Sequence, residues 1–315
     1  MKQFDIIVIG MGPAGMAVSA MGSAMGLSVL SIEKHKVGGE CLNCGCIPSK
    51  ALLKAGEALH SARNLKKYGV DAELHLGASD PMQVVRDKIH GINDKKFQKA
   101  FERATLVMGT AEFLDEKTVQ VDGESYTAKK IFIAAGTEPF IPPIPGLREI
   151  EGILTNTNMF EIEKMPESLT IIGGGAIGSE MAQAFTRLGT KVSLAHMDPH
   201  LVPVGDEDAA RVLQDAFERE GIAVHNGAKI TEIKQEGGRI KTLFDVGTLE
   251  SERILVATGR KPILEPLHLE KAGIEFTKRG ITVDSHMRTN KSHIYAVGDC
   301  NGQNLFSHAA MHQGM

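Results

Sequence analysis

Three of the four cysteines of this chain, Cys41, Cys44 and Cys46, lie within a stretch of six residues. The surrounding run reads GGECLNCGCIPSK over residues 38–50. Pro48 suits the first turn of a helix, and strong helix formers follow it. We therefore expect the thiols at a helix N-terminus, where the helix dipole lowers the pKa of a thiol and makes the nucleophilic thiolate available.

A disulfide bond between Cys41 and Cys46 would close a very short loop and would add little entropic stabilisation. Such a bond is better explained by redox chemistry. Two other interpretations stay open from this stretch alone. The thiols could bind zinc with His35 as a fourth ligand, or they could be small apolar residues that pack at the start of a helix.

A dinucleotide-binding pattern precedes the cysteines. Residues 4–9 are mostly apolar and β-branched, as in a buried parallel strand, and a glycine turn, a helix and a second strand follow. Gly10 makes the turn, Gly12 lets the backbone approach a pyrophosphate, and Gly15 lets helix and strand pack closely. Glu33 closes the second strand, where a carboxylate can accept hydrogen bonds from a ribose diol.

The same segment has no charged side chain from residue 6 to residue 32, so its length alone could span a membrane. The glycine turn would break such a helix, and Asp5 and Glu33 bound the run. We therefore expect a buried strand, turn, helix and strand, with neither a membrane segment nor a signal peptide.

A second copy of the glycine pattern occurs at Gly173, Gly175 and Gly178. Glu33 lies 33 − 10 = 23 residues after the first glycine, and the equivalent residue of the second copy is His196, since 196 − 173 = 23. The acid that would hold a plain ribose diol is therefore missing here. His196 could approach a 2′-phosphate, or it could be a polar residue at a strand end.

Each copy ends in a similar segment, AAGTEP over residues 134–139 and ATGRKP over residues 257–262. The first copy runs 134 − 10 = 124 residues from first glycine to exit alanine, and the second runs 257 − 173 = 84. The cysteine stretch lies inside the extra 40 residues. One nucleotide-binding fold thus carries a redox insert, and the prolines that follow residue 138 mark a domain boundary.

Other patterns complete the predicted architecture, an α/β chain of two Rossmann-like dinucleotide-binding domains with three layers each. The expected helices lie over 51–67, 82–103 (a polar helix) and 179–188, and a further helix begins just before residue 315. The expected strands lie over 105–108 and 118–121, with residues 109–111 between them, and over 130–134, 169–172, 192–195, 254–257 and 294–299.

Composition limits the function classes. The 315 residues have a net charge of −4 with acids and bases spread evenly, which does not favour nucleic-acid binding. Four cysteines in a chain of this length do not form a secreted disulfide scaffold, so we expect a cytoplasmic protein. Cys300 lies far in sequence from the other thiols and is expected to be a packing residue.

The motif CLN-x-GCIPSK over residues 41–50, the two glycine patterns and the run VGD over 297–299 together resemble the flavin-dependent pyridine nucleotide–disulfide oxidoreductases. The chain is most similar to the dihydrolipoamide dehydrogenases of that class, with mercuric and glutathione reductases as relatives. The resemblance covers the whole chain. It implies an FAD-binding domain over 1–148, an NAD(P)-binding domain over 149–265 and a return to the FAD domain over 266–315.

The resemblance also implies roles for individual residues. Cys46 would be the charge-transfer thiol beside the flavin, Cys41 the interchange thiol that meets the substrate, and Lys50 would lie by the flavin N5 edge, paired with Glu180. The residues implied for FAD are Gly10, Gly12, Gly15, Glu33, Lys34, Gly38, Gly39, Lys50, Ala111, Asp299 and Ser307, with Ala111 and Ser307 acting through their backbones. Those implied for NADH or NADPH are Gly173, Gly175, Gly178, His196 and Gly259.

The implied reaction is hydride transfer between nicotinamide and flavin, followed by thiol–disulfide exchange with a small or protein-bound disulfide or dithiol, a role in cell redox homeostasis. Three features depart from the family. Cys44 replaces an apolar or small residue and is expected to be a silent thiol that takes no part in the redox chemistry. His196 leaves the choice between NADH and NADPH undecided. The chain also ends before the family's C-terminal dimerisation domain, which is expected to make the full-length form a homodimer.

Two alternatives remain. One is a metal-ion reductase of the mercuric type, which would need an additional thiol pair. The other is a non-catalytic flavin-binding fragment of a longer enzyme. No metal site, nucleic-acid partner or membrane partner is expected.

Overall fold

The computed structural model describes residues 2–75, 80–93, 103–245 and 247–315. In chain order, the N-terminal elements are β1 (Lys2–Ile9), α1 (Pro13–Ala24), β2 (Val29–Glu33), α2 (Gly39–Asn43), α3 (Cys46–Arg63), a 3-10 helix (Leu65–Tyr68) and α4 (Pro81–Asn93). They are followed by β3 (Thr105–Met108), β4 (Ala111–Phe113), β5 (Thr118–Val121), β6 (Glu124–Ile133) and β7 (Thr137–Pro139).

The middle of the chain contains β8 (Ser168–Ile172), α5 (Ala176–Arg187), β9 (Lys191–Ala195), α6 (Glu207–Arg219), β10 (Ala223–His225), β11 (Ile230–Glu236), β12 (Arg239–Phe244), β13 (Gly247–Ser251) and β14 (Arg253–Val256). The C-terminal elements are β15 (Arg260–Pro262), a 3-10 helix (Glu265–Leu267), β16 (Phe276–Thr277), β17 (Gly280–Ile281), β18 (Ile294–Ala296), a 3-10 helix (Asp299–Asn301) and α7 (Ser307–Gly314).

These elements form two compact units. The first comprises Met1–Cys46, His90–Glu138 and Arg260–Met315, and the second comprises Ile47–Ile89 and Pro139–Gly259. The functional domains expected from the sequence, with boundaries at residues 148 and 265, stay a prediction.

The first unit is built on a seven-stranded sheet in the order β3-β2-β1-β6-β5-β4, with β18 also paired with β6. β1 runs parallel to both β2 and β6, so that Ile7 faces Leu30 on one side and Ile131 on the other. All three side chains are fully buried, as expected for a parallel sheet covered on both faces. Helix α1 covers one face and packs against α7. This arrangement places the glycine turn and the end of β2 at the same edge of the sheet.

The second unit repeats this plan with fewer strands. Its parallel sheet has the order β10-β9-β8-β14, and β11, β12 and β13 form a separate antiparallel sheet. Buried side chains of both sheets, such as Ile172, Ile254 and Ile240, share one apolar cluster. The α/β class is therefore confirmed, with a fully parallel sheet in the second unit and, in the first, a sheet whose β5 pairs antiparallel with β4 and β6.

Several predicted elements differ in detail. Strand β4 was not predicted: Ala111, expected only to lie between two strands, begins β4 and pairs with Val121 of β5 in an antiparallel hairpin. Helix α2 was not predicted. The polar helix predicted over 82–103 is α4, which ends at Asn93, and residues 94–102 lie outside the described part of the chain. Among the described residues, every helix is too short or too polar to cross a bilayer.

Candidate active site

The two predicted redox thiols lie on consecutive helices joined by a tight turn. Cys41 is in the middle of α2, and Cys46 is the first residue of α3. A Cβ atom on Gly45 would come within 2.8 Å of the carbonyl oxygen of Glu40, so the turn requires glycine at this position. The Cys44 N–H donates to the same carbonyl at 2.9 Å and ends α2. The chain thus folds back and brings the side chains of Cys41 and Cys46 into contact.

The two sulfurs share hydrogen bonds and are not joined by a disulfide bond. The hydrogen bond between Cys41 and Cys46, together with partial burial, raises the pKa of the Cys41 thiol. The Ser307 hydroxyl, at the start of α7, lies 3.2 Å from the sulfur of Cys46. It also bonds to Cys41, and that bond acts in the opposite direction on the pKa of Cys41. The geometry is that of a dithiol whose two thiols are close enough to exchange a proton directly.

Lys50 and Glu180 are brought together within the second unit. The Lys50 Nζ lies 2.5 Å from a Glu180 carboxylate oxygen, and Lys50 follows Cys46 by one turn of α3. Helices α3 and α5 approach closely where a Cβ atom on Gly56 would lie 3.2 Å from the Cβ of Arg187. The Lys50 side chain is 60% exposed, so the pair contributes little to stability. A function for the pair beside the flavin stays a prediction.

An arginine that the sequence did not reveal lies in the first unit beside the cysteine helix. Arg260 forms an ion pair with Glu40, the residue before Cys41. Its guanidinium also donates to the hydroxyl of Thr137 at 2.7 Å and to the carbonyl of Thr137 at 2.9 Å. The arginine side chain is only 12% exposed, so its charge is held by these partners rather than by water. The bonds of this buried guanidinium to Glu40 and Thr137 fix the position of helix α2, which carries Cys41.

The same cluster includes Asp299, the residue predicted to bind the flavin's ribityl chain. The Thr137 hydroxyl donates weakly to the Asp299 carboxylate at 3.4 Å. Burial raises the pKa of Asp299, and the nearby charge of Arg260 partly opposes this effect. A signal for Arg260 was present in the repeat, because Thr137 and Arg260 occupy equivalent positions in the runs AAGTEP and ATGRKP. The structure pairs those two segments as β7 and β15.

The first glycine loop leaves one position open. Added Cβ atoms on Gly10 and Gly15 would overlap the carbonyl oxygens of Ala134 and Gly10, so the chain's own packing explains both glycines. A Cβ on Gly12 would instead find its nearest neighbour, the Cα of Gly39, at 3.9 Å. Nothing within the described chain requires glycine at position 12. The free space there is what a pyrophosphate lying against the backbone would need.

Glu33 lies at the end of β2 and is buried, with only 7% of its surface exposed. One carboxylate oxygen accepts the N–H of Met11 at 2.8 Å, and the other accepts the N–H of His35 at 2.8 Å. These two donors fix the carboxylate, and each oxygen keeps a lone pair for a further donor. The residues of this loop therefore fit the diphosphate and ribose of a dinucleotide.

The remaining predicted residues of the first fold lie around this loop. The Gly38 N–H donates to the carbonyl of Met11 at 2.7 Å, and Gly39 approaches Gly12 as described above. Lys34 is exposed directly after β2, and Ala111 is buried at the start of β4. The flavin contacts predicted for these residues are not tested by the structure.

The second glycine loop repeats the first. A Cβ on Gly178 would overlap the carbonyl of Gly173, whereas a Cβ on Gly175 would meet nothing within 4 Å. The middle glycine is again the one that the chain itself does not need. Gly259 follows β14, and its carbonyl accepts the N–H of Phe140 at 2.9 Å. The loop of this unit fits a second dinucleotide.

His196 takes the place of Glu33 in the second fold, and it is buried with 4% of its surface exposed. Its Nε2 bonds to the side-chain oxygen of Asn226 at 2.7 Å, and Asn226 donates in turn to Gln214 at 2.7 Å. Its Nδ1 is buried without a hydrogen-bond partner among the described residues, and an Asp198 oxygen lies 3.8 Å away. The ring packs against Gly174, where an added Cβ would come 2.7 Å from it.

The other interpretations of the cysteines can be compared with the geometry. Among the described residues, no group of three or more His, Cys, Asp or Glu side chains is arranged to hold a metal ion. Cys300 is fully buried, and burial raises the pKa of its thiol to about 12. Cys44 lies at the C-terminal end of α2, and its expected silence stays a prediction.

Comparison with known proteins agrees with this site. The family model described as pyridine nucleotide-disulphide oxidoreductase matches residues 4–314. The dihydrolipoyl dehydrogenase of Bacillus subtilis (strain 168) is 37% identical over 98% of this chain and 70% of its own length. The mercuric reductase of Bacillus cereus is 36% identical over 99% of this chain and 50% of its own length.

Solved structures give the same result. The HOCl-induced flavoprotein disulfide reductase RclA of Escherichia coli matches with a TM-score of 0.88 and 26% identity, over 98% of this chain and 69% of that protein. The Cu(II) complex of the same reductase matches with a TM-score of 0.89 and 25% identity, over 100% of this chain and 70% of that protein. The chain belongs to the pyridine nucleotide–disulphide oxidoreductase family and is an NAD(P)-dependent flavoprotein that acts on a disulfide or dithiol.

Proposed function

We propose that the Cys41–Cys46 pair carries electrons between the flavin and a disulfide or dithiol substrate, most closely as in a dihydrolipoyl dehydrogenase. The observation that carries this proposal is the direct hydrogen-bonded contact between the two thiols across the turn at Gly45. Two thiols in contact can form a disulfide bond with a small movement, and the short loop gives the bond little structural value.

The first glycine loop, Glu33 and Asp299 would hold FAD, and the second glycine loop would hold NADH or NADPH. When bound, FAD supplies the exchange of an electron pair between a nicotinamide hydride and a disulfide. The flavin contacts of Lys34, Gly38, Gly39, Ala111 and Ser307, and the nicotinamide nucleotide contacts of His196 and Gly259, are part of the same proposal.

The cysteines perform the exchange with the substrate. The Cys41 thiolate attacks one sulfur of the substrate disulfide and releases the other as a thiol, which leaves a mixed disulfide on Cys41. The Cys46 thiolate then attacks the Cys41 sulfur, releases the second substrate thiol and forms the Cys41–Cys46 disulfide. The two thiol protons of the pair go to the two released thiols, so the step balances. In the opposite direction the same steps oxidise a dithiol.

Lys50 would act as a fixed positive charge one turn from Cys46. The Glu180 carboxylate at 2.5 Å restricts the lysine side chain, which is otherwise flexible and exposed. A charge held in this way can stabilise negative charge that develops nearby during electron transfer.

The substrate class follows from the relatives named dihydrolipoyl dehydrogenase, and we propose a small or protein-bound dithiol of that type. A homodimer for the full-length form and a cytoplasmic location belong to the same proposal. A mercuric reductase is also among the relatives. We favour the disulfide substrate because the Cys41 and Cys46 thiols are in direct hydrogen-bonded contact, which suits their conversion to a disulfide bond.

The test is steady-state turnover of the FAD-loaded chain with dihydrolipoamide and NAD⁺, and with oxidised lipoamide and NADH or NADPH. We expect disulfide-dependent turnover that Cys41→Ser and Cys46→Ser each abolish. Cys44→Ser is the matched control and should retain most of the activity. Bound flavin without turnover in either direction would overturn the proposal and would support a flavin-binding fragment.

A further inference from the structure

Ser307 has a side chain whose position the flavin contact does not explain. The family resemblance gives this residue a backbone contact only, for which alanine would be sufficient. Its hydroxyl is instead directed at the thiol pair, 3.2 Å from the sulfur of Cys46, and it also bonds to Cys41. One hydroxyl thus touches both reacting sulfur atoms of the same unit.

The location of Ser307 in its helix strengthens this observation. Ser307 is the first residue of α7, and the preceding Phe306 is in an extended conformation without a capping side chain. The Ser307 hydroxyl is therefore not the cap of its own helix. The unpaired N–H groups of the first helical turn add partial positive charge at this end, which favours a negative charge on a sulfur nearby.

We propose that the Ser307 hydroxyl is a catalytic hydrogen-bond donor, which donates to whichever of the two cysteine sulfurs is negatively charged during thiol–disulfide exchange. In the dithiol, either Cys46 or Ser307 can be the donor of the bond between them. A thiolate has no proton, so the hydroxyl must then donate. This inference rests on the proposed thiol chemistry and adds a third participant to it.

The exchange reaction needs such a group because the charge moves. Cys41 must be the thiolate when it attacks the substrate, and Cys46 must be the thiolate when it resolves the mixed disulfide. The direct bond between the thiols allows the proton to pass from one to the other. A hydroxyl that reaches both sulfurs can rotate to donate to whichever one is the thiolate. A fixed cation would favour the thiolate on only one of the two cysteines.

Two charged groups near the thiols in sequence are paired with other residues. Glu40, next to Cys41, is bound to Arg260, and Lys50, one turn after Cys46, is bound to Glu180. The ring of His308 stacks on Phe306. The Ser307 hydroxyl, by contrast, contacts both sulfurs.

The test is the pH dependence of thiol alkylation in the FAD-loaded dithiol form. The protein is reduced with a phosphine, treated with iodoacetamide between pH 5 and pH 10, and the modified cysteines are identified by mass spectrometry. In Ser307→Ala we expect the alkylation midpoint to move up by about one pH unit, a roughly tenfold slower reaction below the midpoint. Ser307→Thr keeps a hydroxyl and should remain near the parent profile.

Controls separate this inference from loss of structure and from the proposed function. Ser285→Ala, an exposed serine bonded to His286, should leave the profile unchanged. Flavin content and melting temperature verify folding, and Ser307→Gly replaces the alanine variant if that variant does not bind flavin. An unchanged midpoint in a folded variant that lacks the hydroxyl would overturn the inference, and so would a threonine variant that behaves like alanine. The proposed function fails separately, when turnover is absent although the thiols titrate.

Discussion

The two glycine loops are nearly identical in their backbone and differ in the side chain that follows them. In both, the outer glycines are required by the chain's own carbonyl groups, and the middle glycine is not. The first loop ends at Glu33, which is held by two backbone N–H groups, and the second ends at His196, which is bound to Asn226. We therefore propose that the fold fixes where a pyrophosphate would lie, and that the side chain at the strand end selects which ribose is accepted.

The largest effect should come from filling the outer glycine positions. In Gly15→Ala and Gly178→Ala the new Cβ overlaps a backbone carbonyl, so we expect each to cost about 3 kcal/mol of unfolding free energy, measured by urea denaturation. The matched variants Gly12→Ala and Gly175→Ala add a Cβ in open space and should retain stability without ligand. They should weaken FAD and NAD(P)H binding respectively by at least about tenfold in titration. Equal destabilisation at outer and middle positions would contradict the comparison.

A smaller effect is expected from removing the carboxylate of the first loop. Glu33→Ala leaves the N–H groups of Met11 and His35 without their acceptor, at a cost of about 2 kcal/mol in thermal unfolding. Glu33→Gln keeps one acceptor oxygen and should lose roughly half as much. If both variants lost FAD affinity but no stability, Glu33 would serve only the cofactor and not the loop.

Replacing His196 tests directly whether the residue at this position sets the preference for NADH or NADPH. We expect His196→Glu, which copies the first loop, to shift the ratio of kcat/KM toward NADH over NADPH by about tenfold, because a carboxylate accepts from a ribose diol and repels a 2′-phosphate. His196→Gln can still bond to Asn226 and serves as the control without charge. A preference that does not change in the glutamate variant would show that His196 is only a packed polar residue.

The smallest effect is expected from replacing Asp299, the partly buried aspartate near Arg260. Burial raises the pKa of Asp299, so the folded protein holds this proton to a higher pH than the unfolded chain does. Stability is therefore lost as the pH rises from the ordinary aspartate pKa through the raised one. Asp299→Asn should raise the melting temperature without FAD by roughly 2–4 °C at pH 7 and give no gain at pH 3, while it weakens FAD binding. A lower melting temperature at pH 7 would show that the carboxylate stabilises the fold.

The sequence predicted those parts of the molecule that depend on local pattern. Apolar β-branched runs identified the central strands of both sheets, and the glycine spacing located both loops. The pairing of Lys50 with Glu180 was expected from the family resemblance, and the structure brings the two side chains together. Helix α2 was missed because its five residues are too short to show helical periodicity.

Long-range pairs could not be predicted from the sequence alone. The bonds from Arg260 to Glu40 and Thr137 join residues 220 and 123 positions apart, and no local pattern encodes them. The repeat alignment of Thr137 with Arg260 was a usable sign. The contact of His196 with Asn226 and that of Ser307 with both thiols depend in the same way on packing, which the sequence does not display.

An anaerobic reductive titration tests whether electrons pass from a nicotinamide nucleotide through the flavin to the Cys41–Cys46 pair. The FAD-loaded chain is first oxidised so that the disulfide is formed, and the flavin spectrum is followed while NADH, NADPH or dithionite is added. We expect full reduction to need about two electron pairs per flavin, one for FAD and one for the disulfide. Cys41→Ser should need about one. A parent protein that is fully reduced by a single electron pair would show that the thiols do not take part, and would contradict electron transfer to the Cys41–Cys46 pair.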